Sequence, residues 1–468
     1  MALLFDCKCY GEDQDNLMEN YSLVHSRYHE LPTLQRWLMR SLATSIKLCV
    51  LCVVPVAIFT IFFLFGVKDW CLIEYTLLAW SLCEVGFYIK WKKKLQAPFE
   101  RKPYAVDLSL RVALASHILN HVDDVEEMLA CWMLERPVGQ LRLDYFQDWI
   151  GWMFFDKRAK DMDAKEMAQA EEIHRLFEAR LPQKKDPHQP IENCRVMVPT
   201  TDPMVCQPKP FVFHLGIQLV QQFAFWKLRG LGFQRHSLHG MFYWFLPGNS
   251  PEPPIMYIHG IGIGFFMYLP TLTTISQTHI GRGVLLLELP HISMAPFDVI
   301  LDHDQTLRAI DAIFHRHSIV KVSLVAHSFG TLVASWINRH RSQYLSQLVL
   351  VDPVCFRIWD PALAHNFLYA DPFSFLHELA RFFVAQDPLV THTLSKEVYW
   401  YESVLYPEEI AIPTTIFLAS RDWVVDAAGI ERYLTQRLPS DCQVVVMDAV
   451  HAACLTQMPL VSKVVAAM

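Results

Sequence analysis

The stretch SLVAHSFGTLVA, Ser323–Ala334, decides the fold of this chain. An apolar run, a short turn at Ser328 and a second apolar run predict a buried strand that turns sharply into a helix. Ala326 and Gly330 stand two residues before and after Ser328, and their small size lets strand and helix approach closely. Ser328 is therefore either a nucleophile held at a corner or an ordinary serine between two elements, and the rest of the chain decides between them.

Buried strands and helices alternate on both sides of this corner. Besides the strand that ends at the corner, the predicted strands are apolar runs within residues 240–248, 255–258, 283–291, 345–353, 414–422 and 442–451. Helices are predicted at 304–317 and directly after the corner. Strands that are apolar on both faces and alternate with helices predict an α/β fold with a doubly wound, mostly parallel sheet.

Two segments are expected to offer backbone N–H groups to a developing oxyanion near the corner serine. The helix after the corner directs its N-terminus at this serine, and the Phe329 N–H is the first candidate donor. The second donor is expected from the glycine-rich turn after the strand at 255–258. There the Ile261 N–H is the candidate, with the N–H groups of Gly260 and Gly262 as near alternatives.

A general base and an acid are expected after the last strands of the sheet. His451 follows the final apolar run, where an imidazole can accept the serine proton and return it to a leaving group near neutral pH. Asp422 ends the preceding strand and is the first candidate for the acid that orients this imidazole. Asp426, four residues on, and Asp352, after the strand that follows the corner, stay open as alternatives.

Five motifs, in this order, resemble the signatures of the α/β-hydrolase family: YIHGIGIG, VAHSFGTLV, LVDP, ASRDWVVD and DAVHAACL. The resemblance covers about Met241 to the C-terminus. It implies an eight-stranded sheet, a Ser-His-Asp triad and a helical lid between strands six and seven, where residues 354–409 fit. Ala326 stands where the family usually has glycine and Thr331 where glycine or alanine is frequent, but neither departure removes a catalytic group.

Composition and motifs exclude several other classes of function. The formal net charge is -7 without a long basic block, which argues against nucleic-acid binding. The sequence has neither a phosphate-binding glycine loop nor a zinc motif, and we expect no cofactor and no metal. The resemblance implies a lipase- or esterase-like serine hydrolase that cleaves a carboxylic ester. An acyltransferase on the same triad and a non-catalytic, membrane-bound α/β-hydrolase-like protein are the alternatives.

The N-terminal part of the chain carries the signs of a membrane anchor. Residues 48–67 lack any charge, and a helix of this length, rising about 1.5 Å per residue, matches the roughly 30 Å hydrocarbon core of a bilayer. A second apolar run, Trp70–Ile89, contains Glu74 and Glu84, which are costly at the bilayer centre. The two runs predict a transmembrane helical hairpin over residues 48–89. The alternative is a single span with the second run lying on the surface, which would put the rest of the chain on the opposite side of the membrane.

Charges next to the two runs predict the orientation of this hairpin. Basic residues precede the first run, and Lys90 and the lysines at 92–94 follow the second. Both ends are therefore expected in the cytosol, with the hydrolase-like part on that side and a hydrophobic ester and the bilayer as its partners. The scattered cysteines, most of them in apolar context, fit a reducing compartment.

These patterns divide the chain into segments. They are an N-terminal cytosolic segment at 1–47, the transmembrane hairpin at 48–89, a helical region with a linker at 90–190, and the α/β-hydrolase domain at 191–468. In the helical region we interpret Trp149, Trp152, Phe154 and Phe155 as a core or a docking face. The proline- and charge-rich stretch Pro182–Pro190 is the predicted linker.

Overall fold

The computed structural model describes residues 70–96, 108–134, 143–181, 196–207, 209–295, 300–370 and 375–468, with a few isolated residues before them. Three predicted features lie wholly or almost wholly outside the described residues. They are the N-terminal segment at 1–47, the first membrane run at 48–67 and the linker at 182–190.

The described residues form a helical part followed by an α/β part. The helices are α1 Trp70–Gln96, α2 Leu108–Leu119, α3 Val125–Trp132, α4 Leu143–Phe155, α5 Ala164–Glu178, α6 Phe211–Gly230, α7 Leu269–Thr278, α8 His303–Arg316, α9 Gly330–Arg341, α10 Pro361–Ala364, α11 Phe375–Ala380, α12 Pro388–His392, α13 Trp400–Ser403, α14 Ala427–Thr435 and α15 Met458–Ala466. The strands are β1 Gln234–Leu238, β2 Met241–Leu246, β3 Ile255–Ile258, β4 Val284–Glu288, β5 Val322–His327, β6 Leu345–Val351, β7 Thr414–Arg421 and β8 Cys442–Val450.

The eight strands form one sheet in the order β1-β2-β4-β3-β5-β6-β7-β8. β2 pairs antiparallel with both β1 and β4, and all the other neighbours are parallel. Helices α8, α9 and α14 pack in the core on one face, and α6, α7 and α15 pack in the core on the other. This strand order is that of the α/β-hydrolase fold, and it confirms the predicted α/β class with a mostly parallel sheet.

Strand β1 is an element that the apolar pattern does not predict. Its five residues are polar apart from the last and are mostly exposed, because an edge strand has a partner on one side only. It forms a hairpin with β2 in which Leu238 pairs with Met241. The two turn residues, His239 and Gly240, have φ values of 48° and 81°. Two positive φ values in sequence are typical of a tight hairpin turn whose twist matches its strands.

The helical part packs on the insert between β6 and β7. The four aromatic side chains interpreted as a core or docking face are buried in the same core as the sheet, which confirms a core role. The indole N–H of Trp132 donates to the Trp359 carbonyl at 3.1 Å. The indole N–H of Trp400 donates to the Met153 carbonyl at 2.7 Å. These bonds cross the contact in opposite directions and fix the insert on the helical part.

The insert between β6 and β7 occupies the place of the predicted lid. It consists of α10 to α13 and of three five-residue π-helical turns, at His365–Tyr369, Arg381–Ala385 and Thr393–Glu397. Arg339 on α9 donates twice to the Glu409 carboxylate, at 2.9 Å each time. The C-terminal end of the insert is therefore fixed to the helix that follows Ser328.

Helix α1 contains the second predicted membrane run and extends it to Gln96. Among the described residues, Cys71–Lys90 is the one segment long and apolar enough to cross a membrane, and 6% of its apolar window is buried. The costly Glu84 has a partner, since its Oε2 accepts the Phe211 N–H at 2.8 Å. The first run lies outside the described residues, so the hairpin itself stays a prediction.

Candidate active site

Ser328 lies at the corner between β5 and α9. Its backbone φ is 48°, a left-handed conformation that is costly for a residue other than glycine. The Ser328 N–H donates to the Val351 carbonyl of neighbouring β6 at 3.0 Å, which helps to hold this turn. Gly330 is required at the helix start, because a Cβ there would lie 2.6 Å from the Ile258 carbonyl oxygen. β5 and α9 therefore approach each other closely, as the small residues Ala326 and Gly330 predict.

The side chains of Ser328, His451 and Asp422, which follow β5, β8 and β7, form one hydrogen-bonded chain. Ser328 Oγ lies 2.9 Å from His451 Nε2, and His451 Nδ1 lies 2.6 Å from Asp422 Oδ2. The other carboxylate oxygen of Asp422 accepts the N–H groups of Val424 at 2.7 Å and Val425 at 3.2 Å, which fixes its orientation. Because the carboxylate holds the Nδ1 proton, Nε2 is left to accept the proton of the hydroxyl.

Opposing effects set the pKa of His451. Burial of the ring would lower this pKa, but the charge and hydrogen bond of Asp422, with a smaller contribution from Asp352, outweigh burial and raise the pKa to about 8. The protonated ring is therefore stabilised. This suits a base whose charged form occurs along the reaction.

The two alternative acids are engaged with backbone groups. Asp426 is the N-cap of α14, where its side chain accepts the Gly429 N–H at 3.0 Å. Asp352 directly follows β6, and its carboxylate accepts the N–H groups of Ala419 at 3.1 Å and Ala452 at 2.8 Å. The Nδ1 atom of the candidate base thus pairs with the first candidate acid and with neither alternative.

The N–H groups of the two alternative oxyanion donors, Gly260 and Gly262, already donate hydrogen bonds elsewhere. The Gly260 N–H donates to the Tyr268 hydroxyl at 2.7 Å. The Gly262 N–H donates to the Ile292 carbonyl at 3.1 Å. Neither group is left to bind an oxyanion unless the loop rearranges.

The two first-choice oxyanion donors have free N–H groups. Among the described residues, no hydrogen-bond partner is found for the N–H of Ile261 or of Phe329. The loop that carries Ile261 lies against the serine, since a Cβ on Gly260 would be 2.8 Å from the Cβ of Ser328. An oxyanion site needs unpaired backbone donors of this kind, and both candidates keep theirs.

A buried network joins this loop to the loop of the candidate base, and the sequence does not predict it. Tyr268 Oη accepts the Gly260 N–H and lies 2.8 Å from His327 Nδ1. Because a backbone N–H only donates, the Tyr268 oxygen accepts from Gly260, and the tyrosine proton is available to Nδ1 of the neutral His327 ring. Burial lowers the pKa of His327, which keeps the ring neutral. Its Nε2 faces the Asp352 carboxylate at 3.7 Å, and that carboxylate holds Ala452, the residue after the base.

In the part of the chain that the structure describes, one group of three possible metal ligands has its ligand atoms within 4.8 Å of one another: His327, Asp352 and Cys454. All three side chains are buried. Burial raises the pKa of the Cys454 thiol well above its usual range, so the sulfur keeps the proton that a metal would have to displace. The carboxylate and the imidazole already take part in the network, and we assign the group a structural role.

Ile261 packs against an apolar cluster to which α6, the insert and the loops after β3 and β4 contribute. The other side chains of this cluster are Phe213, Ile217, Ile263, Met294, Phe367, Val384, Val390 and Leu394. Trp423, next to the candidate acid, stacks on Phe367 with ring centroids 6.3 Å apart. The same indole lies 6.4 Å from the ring of His451. Apolar side chains therefore lie next to Ile261 and next to the base, as in sites that bind apolar ligands.

Several solved structures are similar to this chain. A membrane phospholipase A, described as a novel bacterial virulence factor, is 18% identical over 54% of this chain and 93% of its own, with a TM-score of 0.36. A putative lipase from Acinetobacter baumannii AYE is 17% identical over 52% of this chain and 93% of its own, with a TM-score of 0.40. Naproxen esterase from Bacillus subtilis is 12% identical over 53% of this chain and 94% of its own, with a TM-score of 0.38.

No protein-family model matches the chain, and no curated protein is significantly similar to it in sequence. Identities and TM-scores this low define neither a reaction nor a substrate. The fold assignment therefore rests on the strand order of the sheet, and the chemistry has to be argued from the geometry around Ser328.

Proposed function

We propose that this protein is a membrane-anchored serine hydrolase that cleaves a carboxylic ester of a lipid or of another hydrophobic acyl chain. The observation that carries the proposal is the chain of hydrogen bonds from Ser328 through His451 to Asp422, at 2.9 and 2.6 Å. The free N–H groups of Ile261 and Phe329 support it further. In this proposal the serine is the nucleophile, the histidine is the base, and the aspartate orients the imidazole.

The first half of the proposed reaction forms an acyl-enzyme. Ser328 Oγ attacks the ester carbonyl carbon while His451 Nε2 takes the hydroxyl proton. The carbonyl oxygen becomes an oxyanion, which the N–H groups of Ile261 and Phe329 stabilise. As the tetrahedral intermediate collapses, the carbon–oxygen bond to the alcohol breaks and His451 gives its proton to the leaving oxygen.

The second half returns the enzyme to its starting state. Water attacks the acyl-enzyme carbonyl while His451 takes one of its protons, and the collapse of this intermediate returns the proton to Ser328 Oγ. The charge of Asp422 stabilises the imidazolium in both halves. An alcohol or amine in place of water would turn the same chemistry into acyl transfer, and product analysis with added acceptors separates the two reactions.

Two features support a hydrophobic substrate and a membrane anchor. The apolar cluster around Ile261 suits an acyl chain next to the proposed oxyanion site. The segment Cys71–Lys90 has a mean hydropathy of 1.3 and little buried surface, as expected of a helix in contact with lipid. The lysines that follow it favour the cytosolic side for the hydrolase domain.

A fluorophosphonate probe tests the proposal, because it phosphonylates an activated serine with loss of fluoride. We expect the full-length protein to be labelled, and mass spectrometry to find the adduct on Ser328. The Ser328→Ala variant should carry no adduct. Ser335→Ala is the matched control: this buried serine lies two helical turns along α9, where its hydroxyl donates to backbone carbonyls. Labelling that persists in Ser328→Ala would contradict the proposal.

The activity should depend on pH through His451. The ring accepts the serine proton only when it is neutral, so kcat/KM should rise with pH through a midpoint near 8, the raised pKa of this group. One pH unit below the midpoint, about a tenth of the rings are neutral and kcat/KM falls to about a tenth. The measurement is kcat/KM for an uncharged ester across this range. A midpoint at or below the ordinary value of 6.5 would show that Asp422 does not act on the base in solution.

A further inference from the structure

Helix α6 exposes a row of large apolar side chains. Leu215, Leu219, Phe223 and Trp226 are exposed by 44%, 65%, 45% and 61%. Spacings of four, four and three residues place them on one side of the helix. We call these four residues the α6 stripe. A contiguous exposed apolar row of this kind marks an interaction surface rather than a scattered set of surface residues.

The opposite face of α6 is fixed to the candidate active site. The buried Gln221 donates from Nε2 to the Ser293 carbonyl at 2.7 Å. Ile217 is buried against Met294 in the apolar cluster that also contains Ile261. Turning the α6 stripe inward would break these contacts. The helix therefore separates the proposed acyl-binding surroundings on its inner face from whatever covers its outer face.

Helix α1 indicates what covers the outer face, because the two helices meet. Phe211 at the start of α6 donates its N–H to the Glu84 carboxylate at 2.8 Å. Its ring lies 5.8 Å from that of Trp80 and 5.5 Å from that of Phe87. The exposed apolar side chains of α1 are Leu72, Tyr75, Leu78, Leu82, Val85, Tyr88 and Ile89. The α6 stripe is thus carried on a helix that begins against the proposed membrane anchor, and lipid is the one environment that suits both surfaces.

The charges of α6 also fit a lipid surface. The helix contains no acidic residue, and Lys227 and Arg229 are exposed at its C-terminal end. Lys227 Nζ lies 5.0 Å from the centre of the Trp226 ring. A tryptophan beside a lysine at the end of an apolar row is typical of helices that lie at the boundary between lipid headgroups and acyl chains.

We propose that α6 lies along the membrane next to α1, with the α6 stripe among the lipids, so that a lipid ester reaches Ser328 directly from the membrane. This inference rests on the membrane anchoring in the proposed function and names the partner of the same site. The stripe immerses in the acyl boundary, and Lys227 and Arg229 contact the headgroups. The contacts of Ile217 and Gln221 on the inner face hold the loop at Ser293 and Met294 against this helix.

Photo-crosslinking tests the position of α6 without any need for activity. The full-length protein, as wild type and as Ser328→Ala, is reconstituted in vesicles of phosphatidylcholine of which a fraction carries a diazirine in the acyl chain. After illumination we expect adducts on the α6 stripe in both proteins. Ile280 and Val320, exposed by 83% and 78%, are internal controls, because they precede the amino ends of β4 and β5 at the edge of the sheet opposite Ser328. Adducts on α6 that do not exceed those on the controls overturn the inference.

A pair of variants tests the consequence for catalysis. The double variant Leu215→Glu/Leu219→Glu places two negative charges in the α6 stripe. The control double variant Ile280→Glu/Val320→Glu places two negative charges at exposed positions away from α6. Both should react with a water-soluble fluorophosphonate at the wild-type rate. Only the stripe variant should lose turnover of an ester embedded in vesicles, by about tenfold or more, since two large apolar side chains can no longer enter lipid. Equal turnover of the two variants contradicts the inference.

These measurements separate the inference from the proposed function. If fluorophosphonate does not label the wild-type protein, the proposed serine hydrolase activity is wrong, while crosslinking still reports where α6 lies. A labelled wild type with adducts on α1 and none on α6 refutes the inference alone. If neither helix carries adducts, the membrane anchor and the inference are both wrong.

Discussion

Replacing Ser328 with alanine will lower kcat for ester hydrolysis by about 10⁴- to 10⁶-fold. The hydroxyl is the nucleophile of the proposed reaction, and its 2.9 Å contact with His451 Nε2 is the path of its proton. Without it no acyl-enzyme forms, and only the oxyanion donors and substrate binding remain to assist water. The alanine is smaller and apolar. Among the described residues the Ser328 hydroxyl hydrogen-bonds only to the base, so the fold should persist without it.

The measurement compares steady-state turnover of the full-length variant with that of a control from the same strand. Ser323→Ala removes a buried hydroxyl at the start of β5 that donates to Gln347 Oε1 at 3.1 Å. This control should keep kcat within a few-fold, because it lies at the other end of the strand from the reacting atoms. If Ser328→Ala retained more than about a hundredth of wild-type kcat, a serine mechanism through this residue would be wrong.

The sequence predicts the parallel sheet and the corner at Ser328 because both depend on local patterns. Continuous apolar runs of strand length identify β2 to β8, since a strand covered on both faces has no polar side. The corner follows from the small residues at 326 and 330, and the 2.6 Å approach to the Ile258 carbonyl shows why glycine is needed at the second position. Motif order along the chain then indicates which loops meet at the carboxyl ends of the strands.

Other features depend on contacts between distant segments, which no local pattern contains. Tyr268 lies in an apolar helix start, and only the fold brings its hydroxyl between the Gly260 N–H and His327. The inner and outer faces of α6 also cannot be told apart in the sequence, because both are apolar. The edge strand β1 lacks the apolar run of a buried strand and is recognised by its pairing alone.

The sequence also cannot choose between Asp422 and Asp352 as the acid, because that choice depends on contacts between distant segments. Both follow strands of the sheet, β7 and β6, that are neighbours, so both emerge at the same edge. Chain order leaves both open as the acid. The structure separates them by what each carboxylate contacts: Asp422 Oδ2 lies 2.6 Å from His451 Nδ1, whereas Asp352 accepts the N–H groups of Ala419 and Ala452. This difference predicts that the two positions respond differently to the same substitution.

Asp422→Asn should lower kcat by about 10⁴-fold with little change in stability. The amide keeps the shape of the side chain but loses the charge that stabilises the imidazolium, and it no longer selects the tautomer with a free Nε2. The pKa of His451 should fall below its wild-type value of about 8, because burial would then act against a weaker opposing effect. The residual kcat/KM of the variant, measured against pH, should therefore reach its plateau at lower pH than that of the wild type.

Asp352→Asn is the matched comparison, and it should lower stability more and kcat less than Asp422→Asn does. Both carboxylate oxygens of Asp352 accept a backbone N–H, so the NH₂ of an asparagine must face one of these donors. That buried donor then has no partner, and the free energy of unfolding should fall by about 1 to 3 kcal/mol. The kcat of the folded variant should fall by no more than about 100-fold, because Asp352 acts on the base only through the Ala452 backbone and its more distant charge. Thermal unfolding and kcat are measured on both variants. If Asp352→Asn lost more kcat than Asp422→Asn, Asp352 and not Asp422 would be the group on which the base depends, and the proposed roles would have to be exchanged.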